Sequence, residues 1–296
     1  MEQGVSPYRS VLYLPGSRER VLEKAKTLPA DALILDLEDA VTPSEKPAAR
    51  ELVARAVKAG GFGPRKVLTR INGLDTEWGG EDLVAMCAAG PDAILIPKVE
   101  TAAMIVEVAG IMAASGAPEN TRIWAMMETP RGVLNALEIA GADPLLEGFV
   151  MGTNDLAKEL GAAQTPDRQP LMTGLGLCLL AARAEGLVCV DGVYNAFKDD
   201  EGLEVVCIQG LEMGFDGKTL IHPAQIEITN RVFAPSEEDL ALAREQIQAH
   251  EEAEARGEGV AVVNGRIVEN LHVETARKLL GQADAIARLS ESSDAV

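Results

Sequence analysis

Three carboxylates stand inside one short apolar segment of the chain, LILDLED at residues 33–39. They are Asp36, Glu38 and Asp39. A segment this apolar is expected to form a buried strand, and a buried carboxylate is costly unless it is paired with a cation or binds a metal ion. The segment therefore predicts buried ion pairs, a metal site, or both.

Two further acids, Glu128 and Asp155, end two apolar segments that follow each other along the chain. If these segments are neighbouring strands, both side chains can reach one ion. Mg²⁺ typically takes one or two carboxylates together with water and substrate oxygens. We therefore predict Glu128 and Asp155 as ligands of Mg²⁺, with Mn²⁺ as an alternative metal and helix capping as the alternative role for Asp155.

In this setting Glu38 and Asp39 have two candidate roles. They hold the water molecules of the metal, or they orient Arg70. A buried salt bridge to Lys or Arg is a further alternative for the pair and is compatible with both roles.

Basic side chains follow other apolar segments. Arg70, in TRING at 69–73, stands at the end of a predicted buried strand, where an arginine with only a surface role would be unusual. Its guanidinium is suited to clamp a substrate carboxylate or carbonyl oxygen with two hydrogen bonds. Arg18, Arg20 and Lys24 lie near the start of the first predicted helix and could receive phosphates. Lys98, at the end of AILIPKVE, is a candidate substrate ligand.

Eight apolar segments, each followed by helical periodicity, position these side chains. This pattern predicts a (β/α)₈ TIM barrel over residues 1–234, in which catalytic groups lie at the carboxyl ends of the strands. An open doubly wound sheet is disfavoured, because its usual GxGxxG turn is replaced by PGSRER after the first segment. The predicted strand segments are 11–16, 32–39, 66–73, 93–100, 123–129, 148–156, 187–194 and 217–223.

Residues 235–296 differ in kind and predict a C-terminal extension made of a helix, a hairpin and a helix. Ser236 is the expected N-cap of the first helix, and Asn264-Gly265 is the expected hairpin turn. We expect such an extension to have no apolar core of its own. It is therefore predicted to pack on the barrel or on a neighbouring subunit.

Composition excludes several classes of function. The formal net charge of −19 disfavours nucleic acid and anionic membranes as partners, and the 3% aromatic content leaves few stacking platforms for single-stranded nucleic acid. No HExxH, GxSxG or Walker motif is present, so zincin, serine-hydrolase and P-loop functions lack support.

The expected location is the cytoplasm. Four cysteines stand in apolar stretches without a CxxC pair, which predicts buried free thiols in a reducing compartment. The first residues show no signal-peptide pattern, and no apolar run reaches the length of a membrane span. We therefore predict a soluble, cytoplasmic protein.

The motifs together resemble the HpcH/HpaI aldolase and citrate lyase β-subunit superfamily, in its CoA-ester branch of malyl-CoA and citramalyl-CoA lyases. The matching motifs occur in order over nearly the whole chain. MMET and MGTNDLAKELG also resemble a subgroup of malyl-CoA thioesterases. The motifs are YLPGSRER, LDLEDAV, TRINGLDTEWG, ILIPKVE, MMET, GTNDLA, VDGVYNAFKDDEG and GFDGKTLIHPAQI.

The resemblance implies a trimer or a dimer of trimers with a swapped C-terminal extension. It also implies Glu128 and Asp155 as Mg²⁺ ligands, Arg70 on the substrate oxygens, and Arg18 and Lys24 on the CoA nucleotide. One departure concerns the hairpin, where Glu269 replaces the aspartate that lyases of this family use as an acid.

Three functions follow as alternatives. The leading one is Mg²⁺-dependent hydrolysis of (S)-malyl-CoA to malate and CoA, with Glu269 as the base on water. The second is a lyase that releases acetyl-CoA with glyoxylate or pyruvate. The third is a non-catalytic subunit that binds a CoA ester.

Overall fold

The structure, a computed structural model, describes residues 6–294. Tyr8–Phe233 form one compact unit, and the chain from Ala234 onward belongs to a second unit. Each unit is described in turn.

The first unit contains a closed barrel of eight parallel strands in sequence order, in which β8 pairs back to β1. This arrangement confirms the predicted TIM barrel. The strands are β1 Ser10–Pro15, β2 Ala32–Asp36, β3 Lys66–Arg70, β4 Ala93–Ile96, β5 Arg122–Met127, β6 Leu146–Met151, β7 Val188–Asp191 and β8 Gly217–Leu220.

Helices follow the strands and surround the barrel. They are α1 Glu19–Ala25, α2 Lys46–Ala59, α3 Gly79–Ala89, α4 Ala102–Ala114, α5 Pro130–Leu134, α6 Ala136–Ala140, α7 Thr153–Leu160, α8 Met172–Ala184, α9 Asp200–Met213 and α10 Ile226–Val232. Several predicted strand segments ran past the observed ends, because their last polar residues belong to the loops at the barrel mouth.

Side-chain alternation along β2 explains the acids in the LILDLED segment. Leu33 and Leu35 pack in the core between strands and helices, whereas Ala32 and Ile34 pack inside the barrel. Because side chains of a strand alternate between its two faces, Asp36 continues the inner row.

The same alternation operates on β3 and β5. Leu68 packs inside the barrel and Arg70 follows two residues later; Trp124 and Met126 pack inside and Glu128 follows. The inner rows therefore begin apolar in the middle of the barrel and become charged at its carboxyl end.

The second unit contains α11 Glu237–Ala255, the hairpin β9 Ala261–Val263 and β10 Arg266–Val268, and α12 Asn270–Asp294. The Ser236 side chain caps α11 by accepting a hydrogen bond from the Asp239 N–H at 3.1 Å. Asn264 and Gly265 have φ values of 51° and 74°, which two-residue hairpin turns of type I′ require. These observations confirm the predicted elements, their cap and their turn.

The expectation that the extension has no apolar core of its own is wrong for one face of the hairpin. Ala261, Val263 and Val268 are buried in a small cluster with residues of the two helices. The opposite face of the hairpin stays open, with Val262 67% and Ile267 61% exposed. Sequence alone does not reveal this cluster, because it forms only when the hairpin folds back on the helices.

The structure also bears on the cysteines and on the apolar character of the helices. Cys87, Cys178, Cys189 and Cys207 are all buried and free, as expected. None of the helices within residues 6–294 combines the length and apolar character needed to cross a membrane.

Candidate active site

Arg70 and Asp36 form the central ion pair at the barrel mouth. Arg70 ends β3, Asp36 ends β2, and the two residues are partners in strand register. Arg70 Nε donates to Asp36 Oδ1 at 2.7 Å, and Nη2 donates to Oδ2 at 2.6 Å. Burial acts to lower the pKa of Arg70, but the charge and hydrogen bonds of Asp36, together with the charge of Glu38 and the contact with Tyr13, raise that pKa, so the guanidinium stays charged.

Asp36 also orders the loop that follows β2. Its carboxylate accepts hydrogen bonds from the backbone N–H groups of Glu38 at 2.9 Å and Ala40 at 3.1 Å. The sequence analysis gave Asp36 no place among the site residues. The alternation along β2 was the signal that could have identified it, because it places Asp36 on the inner row.

Glu38 bridges two cations. Its Oε1 accepts from Lys98 Nζ at 2.8 Å, and its Oε2 lies 2.9 Å from Arg70 Nη1. Burial raises the pKa of Glu38, while Arg70 and Lys98 act to lower it. Asp39 is exposed and lies 3.4 Å from the same Arg70 nitrogen. These ion pairs match the orienting role that the sequence left open for the two acids.

Glu128 lies one residue beyond β5 and is 1% exposed. Its Oε1 accepts the backbone N–H of Lys98 at 2.8 Å, and its buried Oε2 has no hydrogen-bond partner within the described residues. Lys98 adopts a left-handed backbone with φ of 50°, a strained conformation that functional sites often contain. Burial and the Glu38 charge raise the pKa of Glu128 to about 8.

Asp155 lies in the first turn of α7 and is half-buried. Its charge acts to raise the pKa of Glu128. Gly152 lies against Glu128, and a Cβ at this position would overlap with the Cβ and Oε2 atoms of Glu128. Asp155 does not act as the N-cap, which is Gly152, so the capping alternative is not supported.

A cavity of about 310 Å³ opens among these side chains. Its lining includes Tyr13, Asp36, Asp39, Arg70, Met126 and Asp155. Arg18 and Lys24 are exposed, at the start of α1 and within it, and neither belongs to this lining in the part of the chain that the structure describes. The structure therefore brings Asp36, Asp39 and Asp155 to one cavity with Arg70. Among the described residues Glu38, Glu128 and Lys98 do not belong to its lining, and the two predicted phosphate ligands also lie outside it.

A second layer supports the acidic loop after β2. The buried Lys46 Nζ donates to the carbonyl oxygens of Leu37 at 2.9 Å and Glu38 at 2.8 Å, and to Asn72 Oδ1 at 2.6 Å. The sequence gave no signal for Lys46, because a lysine at the start of a helix is ordinarily solvated.

Glu269 lies between β10 and α12 in the second unit and is exposed. Its backbone N–H donates to Nδ1 of His272 at 3.0 Å. Its proposed part in catalysis stays a prediction.

The chain offers an incomplete set of metal ligands. Among residues 6–294 no three His, Cys, Asp or Glu side chains converge as a ready-made metal cage. Two carboxylates that leave the other positions to water and substrate oxygens are, however, the usual donor set for Mg²⁺.

Comparison with known sequences identifies close relatives. A sequence model of the HpcH/HpaI aldolase/citrate lyase family matches residues 9–223. A protein of Cereibacter sphaeroides named (3S)-malyl-CoA thioesterase is 58% identical over 292 residues, which cover 99% of this chain and 100% of that protein. The citrate lyase subunit beta of Leuconostoc mesenteroides subsp. cremoris is 38% identical over 284 residues, covering 94% of this chain and 93% of the relative.

Solved structures share the fold. The protein CitE from Mycobacterium tuberculosis, in complex with magnesium, acetoacetate and coenzyme A, superposes with a TM-score of 0.73 at 31% identity. This match covers 94% of the present chain and 98% of that chain.

Proposed function

Because the chain belongs to the HpcH/HpaI aldolase/citrate lyase family, we propose that it hydrolyses (3S)-malyl-CoA to malate and free CoA in a Mg²⁺-dependent reaction. The observation that carries this proposal is the 58% identity, over the full length, to a protein named (3S)-malyl-CoA thioesterase. The cavity at the barrel mouth is lined by Asp36, Asp39, Asp155 and Arg70, side chains of the types that such a reaction needs.

The residues present fit a bound Mg²⁺. The buried Oε2 of Glu128 has no hydrogen-bond partner in the described structure, and burial raises the pKa of this carboxyl to about 8. A divalent cation would satisfy this oxygen and favour the carboxylate form. Glu128 and Asp155 would hold the ion, which when bound supplies Lewis-acid polarisation and fixes oxygen atoms of the acyl group.

Arg70 would stabilise the charge that develops on the thioester oxygen. Water adds to the carbonyl carbon, and the π electrons of the carbonyl move to its oxygen. The C–S bond then breaks, sulfur leaves with its electron pair and is protonated, and malate forms with one net proton released. Asp36 and Glu38 would keep Arg70 in place, and Glu269 would remove the proton from the attacking water.

The CoA moiety would be bound by exposed cations at the rim. In this proposal Arg18 and Lys24 contact the nucleotide phosphates, and Lys98, whose ammonium pairs with Glu38, contacts the substrate. These local cations would act against the net charge of −19.

A lyase is the second candidate, because citrate lyase subunit beta is a relative at 38% identity. The same metal ligands and Arg70 would stabilise an enolate after carbon–carbon cleavage, and Glu269 would protonate it. Both candidates place catalysis at the same mouth of the barrel.

Metal dependence tests the proposal directly. We expect thiol release from (S)-malyl-CoA to stop when EDTA removes divalent ions and to return with Mg²⁺, because Glu128 and Asp155 need the cation to act. Glu128→Gln should raise the Mg²⁺ concentration needed for half-maximal rate at least tenfold, because a neutral amide is a poor ligand for this hard cation. A wild-type protein that releases thiol equally well in EDTA would contradict the proposal.

Glu147→Gln is the matched control for that substitution. Glu147 lies on β6, and its carboxylate accepts the indole N–H of Trp124 at 2.9 Å. We expect this variant to keep the Mg²⁺ dependence of the wild type.

We further propose a homo-oligomer, a trimer or a hexamer, in which the extension of one subunit brings Glu269 to the cavity of a neighbour. The open apolar face of the hairpin, with Val262 and Ile267, supports this arrangement. The four buried free thiols favour the cytoplasm as the location.

A further inference from the structure

Tyr13 is a side chain of the cavity for which neither the motifs nor the charge pattern gave a role. It lies on β1, in register with Ile34 of β2, and joins the apolar cluster inside the barrel. Its ring packs under the Arg70 guanidinium, with 5.0 Å between Cζ and the ring centroid. Tyr13 also lines the 310 Å³ cavity.

The hydroxyl group of Tyr13 has a poor acceptor. It lies 3.8 Å from Sδ of Met126, and it has no other hydrogen-bond partner in the part of the chain that the structure describes. A thioether sulfur is a weak acceptor, whereas a phenol inside a protein ordinarily finds an oxygen or nitrogen. The hydroxyl is thus a donor that the folded chain leaves available to a ligand.

Arg70 also lies near the Met126 sulfur. Its Nη1 lies 3.7 Å from the same sulfur of Met126 and also pairs with Glu38 Oε2 at 2.9 Å and Asp39 Oδ2 at 3.4 Å. Its Nε and Nη2 are occupied by Asp36. Two donors, one neutral and one charged, therefore converge on one weak acceptor at the wall of the cavity. Because Nη1 carries two N–H groups, a substrate oxygen that takes the place of this sulfur would accept one of them together with the Tyr13 O–H.

We infer that Tyr13 O–H and Arg70 Nη1 together bind the thioester oxygen while it carries negative charge. This inference rests on the proposed thioester hydrolysis and adds a second donor to it. As water adds to the carbonyl carbon, the carbonyl electron pair moves onto the oxygen that Tyr13 and Arg70 face. When the C–S bond breaks, the pair returns to form the carboxylate, and CoA leaves as the thiol.

The chemistry of Tyr13 suits this role. Burial raises the pKa of its phenol, and the charge of Arg70 offsets this effect only in part. The hydroxyl therefore keeps its proton and donates a neutral hydrogen bond. A donor that acts on the developing charge raises kcat, whereas one that binds substrate and transition state equally changes KM.

Tyr13→Phe tests the inference, because it removes the hydroxyl and keeps the ring that packs on Arg70. We expect kcat for thiol release from (S)-malyl-CoA to fall about 100-fold, the usual loss on removing one oxyanion donor, with KM unchanged within about threefold. A loss smaller than tenfold in kcat, or a loss carried by KM, overturns the inference. The second result would mean that Tyr13 binds the ground-state substrate.

Tyr8→Phe is the matched control, because Tyr8 lies inside the same barrel, is 6% exposed and packs on Trp124. We expect this variant to keep the wild-type kcat, and thermal unfolding of both variants reports whether they fold. The wild-type assay keeps the two hypotheses apart. No thiol from the wild type refutes the proposed function, whereas thiol release that is insensitive to Tyr13→Phe refutes this inference alone.

Discussion

The two hydrogen bonds to Asp36 hold the Arg70 side chain in one conformation. A free arginine carries about 2 kcal/mol of side-chain entropy, which a bidentate contact removes before the substrate arrives. The contact is buried on both sides, with Arg70 7% and Asp36 1% exposed, so solvent screens it little. Arg70 therefore holds Nη1 in one position at the cavity, where Glu38 and Asp39 also contact it.

Asp36→Asn should lower kcat/KM by about 10- to 100-fold, because a displacement of the Arg70 guanidinium by about 1 Å has an effect of this size. The amide keeps the volume of the carboxylate and removes its charge. Steady-state kinetics with (S)-malyl-CoA measure the loss.

Asp31→Asn is the control, since Asp31 holds Arg9 through a similar pair of hydrogen bonds, at 2.8 and 2.9 Å, before the opposite end of β2. We expect Asp31→Asn to change stability and leave kcat/KM near the wild-type value. Equal kinetic losses in the two variants would show that Asp36 acts only through folding.

At the residue scale, the sequence predicted which acids stand at the strand ends but not which acid pairs with which cation. Glu38, Asp39 and Arg70 do meet, because parallel strands bring their carboxyl ends to one edge. The pairing of Arg70 with Asp36 depends on the register of β2 and β3, which a single sequence does not state. The role of Lys46 was also hidden, because it requires the backbone path of a loop.

At the scale of elements, a buried ionic cluster ties β7 and β8 to the loop before α8. Asp191 ends β7 and accepts from Lys218 Nζ of β8 at 2.8 Å and from Arg168 Nη1 at 2.7 Å. Burial acts to raise the pKa of Asp191, but the two cations outweigh it and hold that pKa below its ordinary value.

Asp191→Asn should lower the free energy of unfolding by about 3–5 kcal/mol at neutral pH, because Lys218 and Arg168 keep buried charges without a counter-ion. Since the folded pKa of Asp191 is depressed, its contribution is fully present above the unfolded value of about 3.9 and is lost as pH falls through the folded pKa. The difference between wild type and variant should therefore shrink below about pH 3.9. Urea unfolding at several pH values measures it, and a difference that stays constant down to acid pH would contradict the assignment.

The elements themselves were well predicted, and the reason is physical. Eight apolar segments with helical stretches between them admit few arrangements, and the closed barrel buries every segment on both faces. The small core of the extension was missed, since it groups hairpin residues with residues from other parts of the extension, such as Val268 with Ala253 in one buried cluster.

For the whole molecule, the proposal makes catalysis a property of two subunits. Glu128 would come from one subunit and Glu269 from its neighbour. At a Mg²⁺ concentration well below the one that Glu128→Gln requires, Glu128→Gln and Glu269→Ala should each have little activity as pure oligomers. Mixed oligomers, made by co-expression, should regain roughly a quarter of wild-type activity, because random pairing unites both intact residues in that share of sites.

Native mass spectrometry would verify that mixed oligomers form. If they form and no activity returns, Glu269 does not serve a neighbouring cavity.

The central claim is that this site uses water to cleave the thioester bond and leaves the carbon–carbon bond intact. The most direct measurement follows free thiol and glyoxylate in parallel, from one reaction of purified protein, Mg²⁺ and (S)-malyl-CoA. We predict that thiol appears in step with malate and that glyoxylate does not appear. Glyoxylate formed without thiol would contradict the claim and identify the protein as a lyase.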